Sequence, residues 1–335
     1  MKFIHLADCH LGGWRQPELS ELCMQSFQKV VSIIIKEKAD FVLIAGDLFD
    51  SAYPSIETLK ETFREFRKLR EANIPVFIIA GSHDYSASGK SFLEVLEKAG
   101  FCKNVHNYEE KDNKIILLPT LYKNVAIYGF PGKKSALEIE EIERIKLQDA
   151  PGLFKILMLH TTLRSAVPNP NVRAVDDSKL PKVDYIALGH LHITYSKNGK
   201  VYAGPLFPNN LQELEELKGG SFYIFNNGSI EKREIKLKEI KVLDYHTSNT
   251  LNASEEILSL LEKEYLKDKI LILKVSGIIE QGRTTDIDFV KIESYAKSKG
   301  VYSLLKSTSK LQLADSSLEL STKDTEDIEV LKSSE

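Results

Sequence analysis

Aspartate and histidine side chains recur where short apolar segments of this sequence end. The residues that follow or close such segments are Asp8 and His10, Asp47, Ser82 with His83 and Asp84, His160, and His190 with His192. Imidazole and carboxylate groups together suit Mn²⁺, iron or Zn²⁺, and two aspartates with four or more histidines exceed the needs of one ion. The pattern therefore predicts a binuclear metal site, with Asp47 as the ligand that bridges the two ions.

The apolar segments alternate with longer amphipathic ones, which is typical of strands followed by helices. Apolar residues recur three or four positions apart in residues 18–36 and 55–70, as on one face of a helix. Residues 41–45 and 76–80 are apolar throughout, as a sheet covered on both faces requires. The predicted fold class is therefore α/β, a layered sheet core with helices on both faces. The carboxyl ends of its strands meet at one edge, where open α/β sheets build their sites.

The pattern also predicts a division of the chain. Two Asn-Gly pairs, at 198–199 and 227–228, indicate tight hairpins near the end of a core domain that we place at residues 1–235. Residues 236–312 begin a new strand and helix alternation, with helices over 254–266 and 286–298, and predict a small α/β module. Residues 313–335 are rich in Ser, Thr, Asp, Glu and Lys, and we expect a flexible tail or linker there.

Other residues with chemical potential have simpler interpretations. His5 lies within the first strand, which favours a packed core histidine over a ligand, and His106 and His246 fall in loop or linker contexts typical of surface residues. Cys9 lies between two predicted ligands but alternates to the other face of the chain, so we interpret it as a small packing residue. The three cysteines have no Cys-x-x-Cys spacing, which argues against a disulfide framework or a structural zinc site.

Charge and hydropathy bear on whether the protein binds nucleic acid or crosses a membrane. The 335 residues include 45 Lys and Arg against 48 Asp and Glu, a net charge of −3, so any affinity for nucleic acid must come from local patches or bound metal. One basic stretch predicts either a phosphate track or a solvated strand face; it contains Lys232, Arg233, Lys236, Lys238 and Lys241. No apolar run is long enough to cross a membrane and no signal-peptide layout is present, so we expect a cytoplasmic protein.

The order of the motifs carries a specific resemblance. The series Asp8-x-His10, Gly46-Asp47-x-x-Asp50, Gly81-Ser82-His83-Asp84, His160 and Gly189-His190-x-His192 resembles the calcineurin-like metallophosphoesterase superfamily. More narrowly, residues 7–12, 45–50 and 187–192, followed by a small α/β module, resemble the SbcD-type nuclease family of DNA double-strand-break repair, also called meiotic recombination eleven. The resemblance covers about residues 1 to 310.

This resemblance implies a ligand set and a set of partners. One metal would be held by Asp8, His10, Asp47 and His192, and the other by Asp47, Ser82, His160 and His190. His83 would be the catalytic acid or phosphate-positioning group, oriented by Asp84. The family further implies two Mn²⁺ per subunit, with Mg²⁺, iron or Zn²⁺ as alternatives, and a homodimer with Leu59 and Val95 at matching positions. It also implies an SMC-like zinc-hook ATPase as partner, a C-terminal module that caps the site and touches DNA, and a place at the nucleoid of a prokaryotic cell.

Two positions depart from the family. Ser82 stands where Asn is usual, and because a hydroxyl is shorter and a weaker neutral ligand than an amide, we expect looser binding of the second metal. Asp50 stands where nuclease members often carry His. The resemblance therefore predicts an exo- and endonuclease acting on double- and single-stranded DNA ends. Two alternatives stay open: a DNA-end tether with weak catalysis because of Ser82, and a phosphodiesterase of small nucleotide esters.

Overall fold

The computed structural model describes residues 1–86, 89–167 and 169–314. The strands, in chain order, are β1 (Lys2–Leu6), β2 (Phe41–Ala45), β3 (Val76–Ile79), β4 (Lys103–Asn104), β5 (Tyr108–Lys111), β6 (Lys114–Leu117), β7 (Thr120–Tyr122), β8 (Val125–Phe130), β9 (Ile145–Leu147), β10 (Phe154–His160), β11 (Tyr185–Gly189), β12 (Tyr195–Lys197), β13 (Lys200–Tyr202), β14 (Gly220–Asn226), β15 (Ser229–Ile235), β16 (Ile240–His246), β17 (Ile270–Ile279) and β18 (Ser303–Leu313). The α-helices are α1 (Pro17–Glu37), α2 (Ile56–Glu71), α3 (Phe92–Lys98), α4 (Glu138–Ile142), α5 (Leu211–Leu217), α6 (Ala253–Glu262) and α7 (Phe289–Ser298). Short 3₁₀ turns cover Lys134–Ala136, Arg164–Ala166, Asp177–Lys179 and Thr284–Asp286.

The contacts divide the chain into two units. The first contains residues 1–209 and 219–235, and the second contains residues 210–218 and the chain from residue 236 onward. The first unit has two six-stranded sheets, in the orders β15-β14-β1-β2-β3-β4 and β12-β13-β11-β10-β8-β7, and a small third sheet, β5-β6-β9. Strands β1 to β4 are parallel, and so are β8, β10, β11 and β13. The carboxyl ends of β1, β2 and β3 therefore share one edge, as do those of β8, β10 and β11.

Apolar side chains from both large sheets form one core in the first unit. Phe3 of β1 stacks on Phe41 of β2 and on Phe225 of β14, and it meets the ring of Tyr185 of β11 edge-on at 5.0 Å. The alternate residues of β2, such as Val42, are also fully buried, so this sheet is covered on its other face as well. The α/β layered core predicted from the apolar strands is confirmed.

The two long helices of the first unit begin and end where local chemistry dictates. Helix α1 has Pro17 in its first turn and ends at Lys38, whose left-handed conformation (φ 52°) turns its N–H back to the last carbonyls. Helix α2 begins after Ser55, whose hydroxyl accepts a hydrogen bond from the N–H of Thr58. Both helices lie within one residue of their predicted bounds. The two predicted Asn-Gly hairpins are also confirmed, since Asn198, Gly199, Asn227 and Gly228 all have positive φ.

His5 is a buried core histidine, as its place in the strand predicts. It has no exposed surface, and its Nδ1 lies 3.0 Å from the hydroxyl of Tyr185, so the bond joins β1 of one sheet to β11 of the other. Burial lowers the pKa of His5 to about 3, which keeps the ring neutral. Because Asp8 and His10 follow β1 while His190 and His192 follow β11, this bond links the strands that position both pairs.

We expect Tyr185→Phe to lower the free energy of unfolding by about 1–3 kcal/mol, because it leaves Nδ1 of buried His5 without its partner. Urea unfolding at neutral pH measures the change. Tyr223→Phe is the matched control, since it removes a hydroxyl from the same core cluster outside this bond. Equal losses in the two variants would contradict the prediction.

The second unit is a three-stranded parallel sheet, β16-β17-β18, with helices α5, α6 and α7. Helix α7 begins at Phe289, later than predicted, because residues 284–286 form a 3₁₀ turn and Asp288 caps the N–H of Lys291. Strand β18 runs to Leu313, because the ten-residue β17 pairs with it at both ends, from Ile270 with Ser303 to Ile279 with Leu313. Beyond residue 314, the predicted tail lies outside the described residues. In the part of the chain that the structure describes, no helix is both long and apolar enough to cross a membrane.

Candidate metal centre

The predicted ligands lie at the carboxyl ends of the strands: His160 is the last residue of β10, and the others lie on the loops that follow β1, β2, β3 and β11. The N–H of Asp8 donates to the carbonyl of Gly46 at 3.1 Å, and the N–H of His10 donates to the carbonyl of Asp47 at 3.0 Å. The N–H of His190 donates to Oδ1 of Asp8 at 2.9 Å, which ties the loop after β11 to the loop after β1. Backbone hydrogen bonds therefore hold the ligand loops of both sheets together.

The backbone at five of the predicted ligands has a positive φ angle, a conformation that residues other than glycine rarely adopt. The φ angles are 50° at Asp8, 43° at His10, 49° at Asp47, 100° at His190 and 50° at His192. Such residues cost on the order of 1–3 kcal/mol each and cluster at functional sites, where the surroundings hold them in place. Five of them in the predicted ligand set indicate that the fold turns these side chains toward a common point at the expense of stability.

One group of ligand atoms is formed by Asp8, His10 and His192. Their ligand atoms lie within 4.8 Å of one another, and Nε2 of His10 is 2.9 Å from Nε2 of His192. Nδ1 of His10 lies 3.0 Å from Oδ1 of Asp50, which leaves Nε2 as the nitrogen that faces the group. Two imidazole nitrogens and a carboxylate directed at one point are the donor set of a transition-metal site.

A second group is formed by Asp8, Asp47 and His160, again within 4.8 Å. Oδ2 of Asp47 lies 3.2 Å from Nε2 of His160 and 3.7 Å from Nε2 of His10, between the two groups as a bridging ligand must be. Gly46 allows this packing, because a Cβ at that position would collide with the ring of His160. Asp8 belongs to both groups as well, which the sequence did not predict.

The buried atoms of this centre fit a bound cation. Nε2 of His160 and Oδ2 of Asp8 are buried without a hydrogen-bond partner, whereas Nδ1 of His160 lies 3.0 Å from the carbonyl of Ala45. Burial alone lowers the pKa of His160, but Asp47 and Asp8 outweigh it and raise the pKa to about 10. The charge of His160 in turn holds the pKa of Asp47 well below its usual range, although burial opposes this. The centre therefore demands positive charge at the point where its ligand atoms converge.

His190 and Ser82 are less closely placed. The ring of His190 lies 5.2 Å from that of His160 and does not join either group. Burial, together with the nearby charge of His160, lowers the pKa of His190 to about 4, so it is neutral as a metal ligand must be. Ser82 is half-buried between Gly81 and His83 on the loop after β3. Their roles as ligands stay predictions.

His83 lies at the open side of the centre. Its side chain is 47% exposed, and its ring is 4.9 Å from that of His10. Its backbone N–H donates to Oδ1 of Asp47 at 2.8 Å. Its ring is held by the loop after β2, because Nδ1 lies 2.8 Å from the carbonyl of Asp50. Nε2 of His83 is thus the nitrogen left for a substrate.

Asp84 does not have the geometry that the resemblance implies. Its carboxylate is buried and accepts backbone N–H bonds from Gly81, Leu48 and Phe49 at 2.9–3.3 Å, so it fixes the loops that carry Asp47 and His83. The ring of His83 is instead positioned by Asp50. Burial and the nearby charge of Asp47 raise the pKa of Asp84 to about 7, although these N–H groups favour the ionised form.

Asp50 supports two histidines at once. Its Oδ1 contacts His10, its carbonyl contacts His83, and Oδ1 also accepts a hydrogen bond from the amide of Asn209 at 3.1 Å. Burial alone raises the pKa of Asp50, but the hydrogen bond and charge of His10, the hydrogen bond from Asn209 and the charge of His83 together outweigh burial and lower the pKa. Asn209 is 159 residues away in the chain and carried no sequence signal.

We expect Asp50→Ala to weaken Mn²⁺ binding by about 10- to 100-fold, because it removes the partner that orients His10. Asp50→Asn keeps an acceptor without the charge and is expected to lie between this variant and the parent. Titration of the protein with Mn²⁺, following free ion by electron paramagnetic resonance, measures both. Asp149→Asn, which changes an exposed acid paired with Lys155, is the control; an unchanged affinity in Asp50→Ala would refute the role.

The remaining histidines and Cys9 have clear environments. His246 is exposed, as predicted, although it is the last residue of strand β16 and not a loop residue, and Cys9 is fully buried. His106 is not a surface residue: it is mostly buried, its ring stacks on Tyr108 at 4.9 Å, and burial lowers its pKa to about 4. The prediction was wrong because the loop that carries His106 packs against Phe130 of β8, a contact remote in sequence.

Comparisons with known proteins agree with this geometry. The chain matches the calcineurin-like phosphoesterase family over residues 1–194. The DNA double-strand break repair protein Mre11 of Archaeoglobus fulgidus is 27% identical over 86% of this chain and 71% of its own length. The protein of that name from Sulfurisphaera tokodaii is 30% identical over 78% of this chain and 69% of its own. The protein of the same name from Methanosarcina mazei is 27% identical over 90% of this chain. The match covers 48% of that relative's own length. The chain therefore belongs to the calcineurin-like phosphoesterase family and, within it, to the Mre11 group.

Proposed function

We propose that this phosphodiesterase is a metal-dependent nuclease that cuts DNA at double-strand breaks, as exonuclease and endonuclease. The observation that carries the proposal is the pair of ligand groups that share Asp8, with Oδ2 of Asp47 near a histidine of each and His83 exposed beside them. This arrangement suits a reaction in which a phosphodiester lies across two cations and an imidazole. The names of the relatives, which are DNA double-strand break repair proteins, support DNA as the substrate.

The ligand set suits two divalent cations, for which we propose Mn²⁺. Asp8, His10, Asp47 and His192 would hold one, and Asp47, His160, His190 and Ser82 the other. Bound there, the cations supply Lewis acidity toward the phosphate. The protein orients the ligands: Ala45 fixes His160 and Asp50 fixes His10, so that in each ring Nε2 faces the centre. The Nδ1–H of His83 donates to the carbonyl of Asp50, so His83 would carry a second proton at Nε2 only as the imidazolium, and in that form it would donate this proton to the departing sugar oxygen.

The proposed partners are DNA ends, a second copy of the chain and an SMC-like zinc-hook ATPase. Val95 of α3 is 46% exposed and Ile56 of α2 is 70% exposed, which supports an apolar contact between copies that also includes half-buried Leu59. We further propose that residues 1–235 act as the nuclease domain, residues 236–312 as a capping, DNA-contacting domain, and residues 313–335 as a linker.

The basic stretch gives DNA binding little support. Lys232 pairs with Glu234, Arg233 with Glu231, and Lys241 with Glu264. Lys238 pairs with Asp268. These ion pairs favour the solvated strand face over the phosphate track, so we assign phosphate binding to the metal centre.

The test is degradation of end-labelled double- and single-stranded DNA with Mn²⁺, Mg²⁺ or chelator, beside a small chromogenic phosphodiester. Manganese-dependent DNA cleavage is the expected result. Hydrolysis of the small ester alone would overturn the proposal in favour of nucleotide esters.

A DNA-end tether with weak catalysis is the second candidate, and Ser82 at the predicted ligand position favours it. If Ser82 limits the second metal, Ser82→Asn gains both Mn²⁺ affinity and cleavage. Ser82→Ala is the matched control, because it removes the hydroxyl without adding an amide. No gain in Ser82→Asn removes the reason for the tether.

A further inference from the structure

The single tryptophan of the chain lies on the loop that follows the ligand His10. Trp14 is half-buried, and its neighbour Arg15 is exposed. The indole N–H donates to the carbonyl of Pro208 at 2.8 Å, which fixes the ring in one orientation. A large aromatic side chain is thus held, partly exposed, four residues beyond a predicted metal ligand.

The loop that carries Trp14 is joined to the metal centre by backbone contacts. The N–H of Leu11 donates to the carbonyl of Leu48, and the N–H of Asp50 donates to the carbonyl of Leu11, so the loops after β1 and β2 run side by side. The N–H of Gly13 donates back to the carbonyl of His10 at 3.0 Å. The loop is therefore rigid where it leaves the centre.

The same loop lies against the residues that support the two histidines. A Cβ at Gly13 would collide with Oδ1 of Asn209 and press on Oδ1 of Asp50, so the backbone next to Trp14 touches both side chains. Asp50 in turn contacts His10 and His83. The backbone that carries Trp14 is consequently linked through Asp50 to exposed His83.

We propose that Trp14 is the platform on which a nucleobase next to the cleaved phosphodiester stacks. The inference rests on the proposed function. The metal centre would contact only the phosphate of the substrate, and Trp14 would add a contact to the base. An indole pinned through its N–H offers its ring without further loss of freedom, and base stacking on aromatic side chains is tolerant of sequence. The class of ligand is an unpaired or terminal nucleotide, since a base within a duplex has no free face.

Fluorescence of the parent protein gives a direct test, because Trp14 is the only tryptophan. A single-stranded oligonucleotide with phosphorothioate linkages, which slow hydrolysis, is titrated in the presence of Mn²⁺. An abasic strand of equal length and charge is the matched ligand. Stacking predicts strong quenching by the strand with bases and little by the abasic strand. Equal quenching by both would overturn the inference.

Two variants separate stacking from a role in anchoring the loop. Trp14→Leu keeps an apolar side chain without a ring, and we expect about a ten- to hundredfold loss of affinity for the oligonucleotide. Trp14→Phe keeps an aromatic ring but loses the hydrogen bond to Pro208, so we expect near-parental affinity for the oligonucleotide. A loss equal to that of Trp14→Leu would indicate that Trp14 anchors the loop and would overturn the stacking role.

The controls distinguish this inference from the proposed function. The rise in Tm that Mn²⁺ produces in Trp14→Leu should equal that of the parent, which shows an intact metal centre. Leu121→Ala removes an exposed apolar side chain on β7, near the amino end of β8, and should change neither this rise nor the affinity for the oligonucleotide. If Trp14→Leu cleaves DNA and binds the oligonucleotide as well as the parent does, the stacking role of Trp14 is refuted and the proposed function is not. If the parent itself does not cleave DNA, the proposed function is refuted.

Discussion

His83→Ala is expected to lose about a hundred- to ten-thousandfold in the rate of DNA hydrolysis while it keeps its metals. The reason is geometric: nearly half of the side chain is exposed, its Nδ1 is engaged by the carbonyl of Asp50, and the backbone N–H of His83 rather than its ring contacts Asp47. Single-turnover cleavage of end-labelled DNA measures the rate, and elemental analysis of the purified protein measures the metal content. His246→Ala, an exposed histidine of the second unit, is the control.

The leaving group separates the two roles that the family allows for His83. A proton donor matters for the sugar oxygen of DNA, which is a poor leaving group, and matters little for a nitrophenolate. We therefore expect a large loss with DNA and a small one with the chromogenic ester. Equal losses with both substrates would mean that His83 positions phosphate instead, and a loss of bound metal would make it a ligand.

Asp47→Asn is expected to abolish stabilisation by Mn²⁺ and to remove most of the hydrolysis. Oδ2 of Asp47 lies between Nε2 of His160 and Nε2 of His10, so one neutralised carboxylate affects both ligand groups. A protein that binds a cation only in its folded state gains about 2.7 kcal/mol at a hundredfold excess over Kd, which appears as a rise in Tm. The parent should show this rise and the variant should not.

A second readout does not depend on metal. Because Asp47 raises the pKa of His160 more than any other residue, the pKa of His160 should fall in metal-free Asp47→Asn. Histidine resonances followed by NMR against pH measure this. Asp184→Asn, whose carboxylate accepts the N–H of Lys155 away from the ligand groups, should change neither readout. A variant that still gains Tm with Mn²⁺ would show that Asp47 does not bridge.

The sequence predicts the parts of this protein that depend on local pattern. Alternation of apolar and amphipathic segments locates the strands. A ligand at the end of a strand, such as His160, or just past it, such as Asp47, therefore lies at the sheet edge by topology. Turns that require a positive φ angle, such as Asn198-Gly199, can also be predicted from the sequence. These features are determined by residues that are close together in the chain.

Other parts depend on contacts that are remote in sequence. The left-handed backbone of Asp8 is imposed by its surroundings, since its own residue type does not demand it. Asp84 follows His83 in the chain, yet the loop turns its carboxylate inward to backbone N–H groups, and Asp50 contacts the ring of His83 in the way that the resemblance implied for Asp84. Asn209 and Pro208 join the site only because the chain returns there.

Helix α5 sets a limit on how the protein can be divided. Residues 210–218 interrupt the first unit, yet Glu215 of this helix pairs with Lys274 of β17 at 2.8 Å and Leu214 is fully buried. A recombinant fragment that stops at residue 235 would keep α5 and discard the strands on which it packs. It would expose the apolar face of this helix, which includes Leu214, immediately after Asn209, whose amide holds Asp50. Loss of activity in such a fragment would therefore report damage to the metal centre's support as well as the missing C-terminal strands.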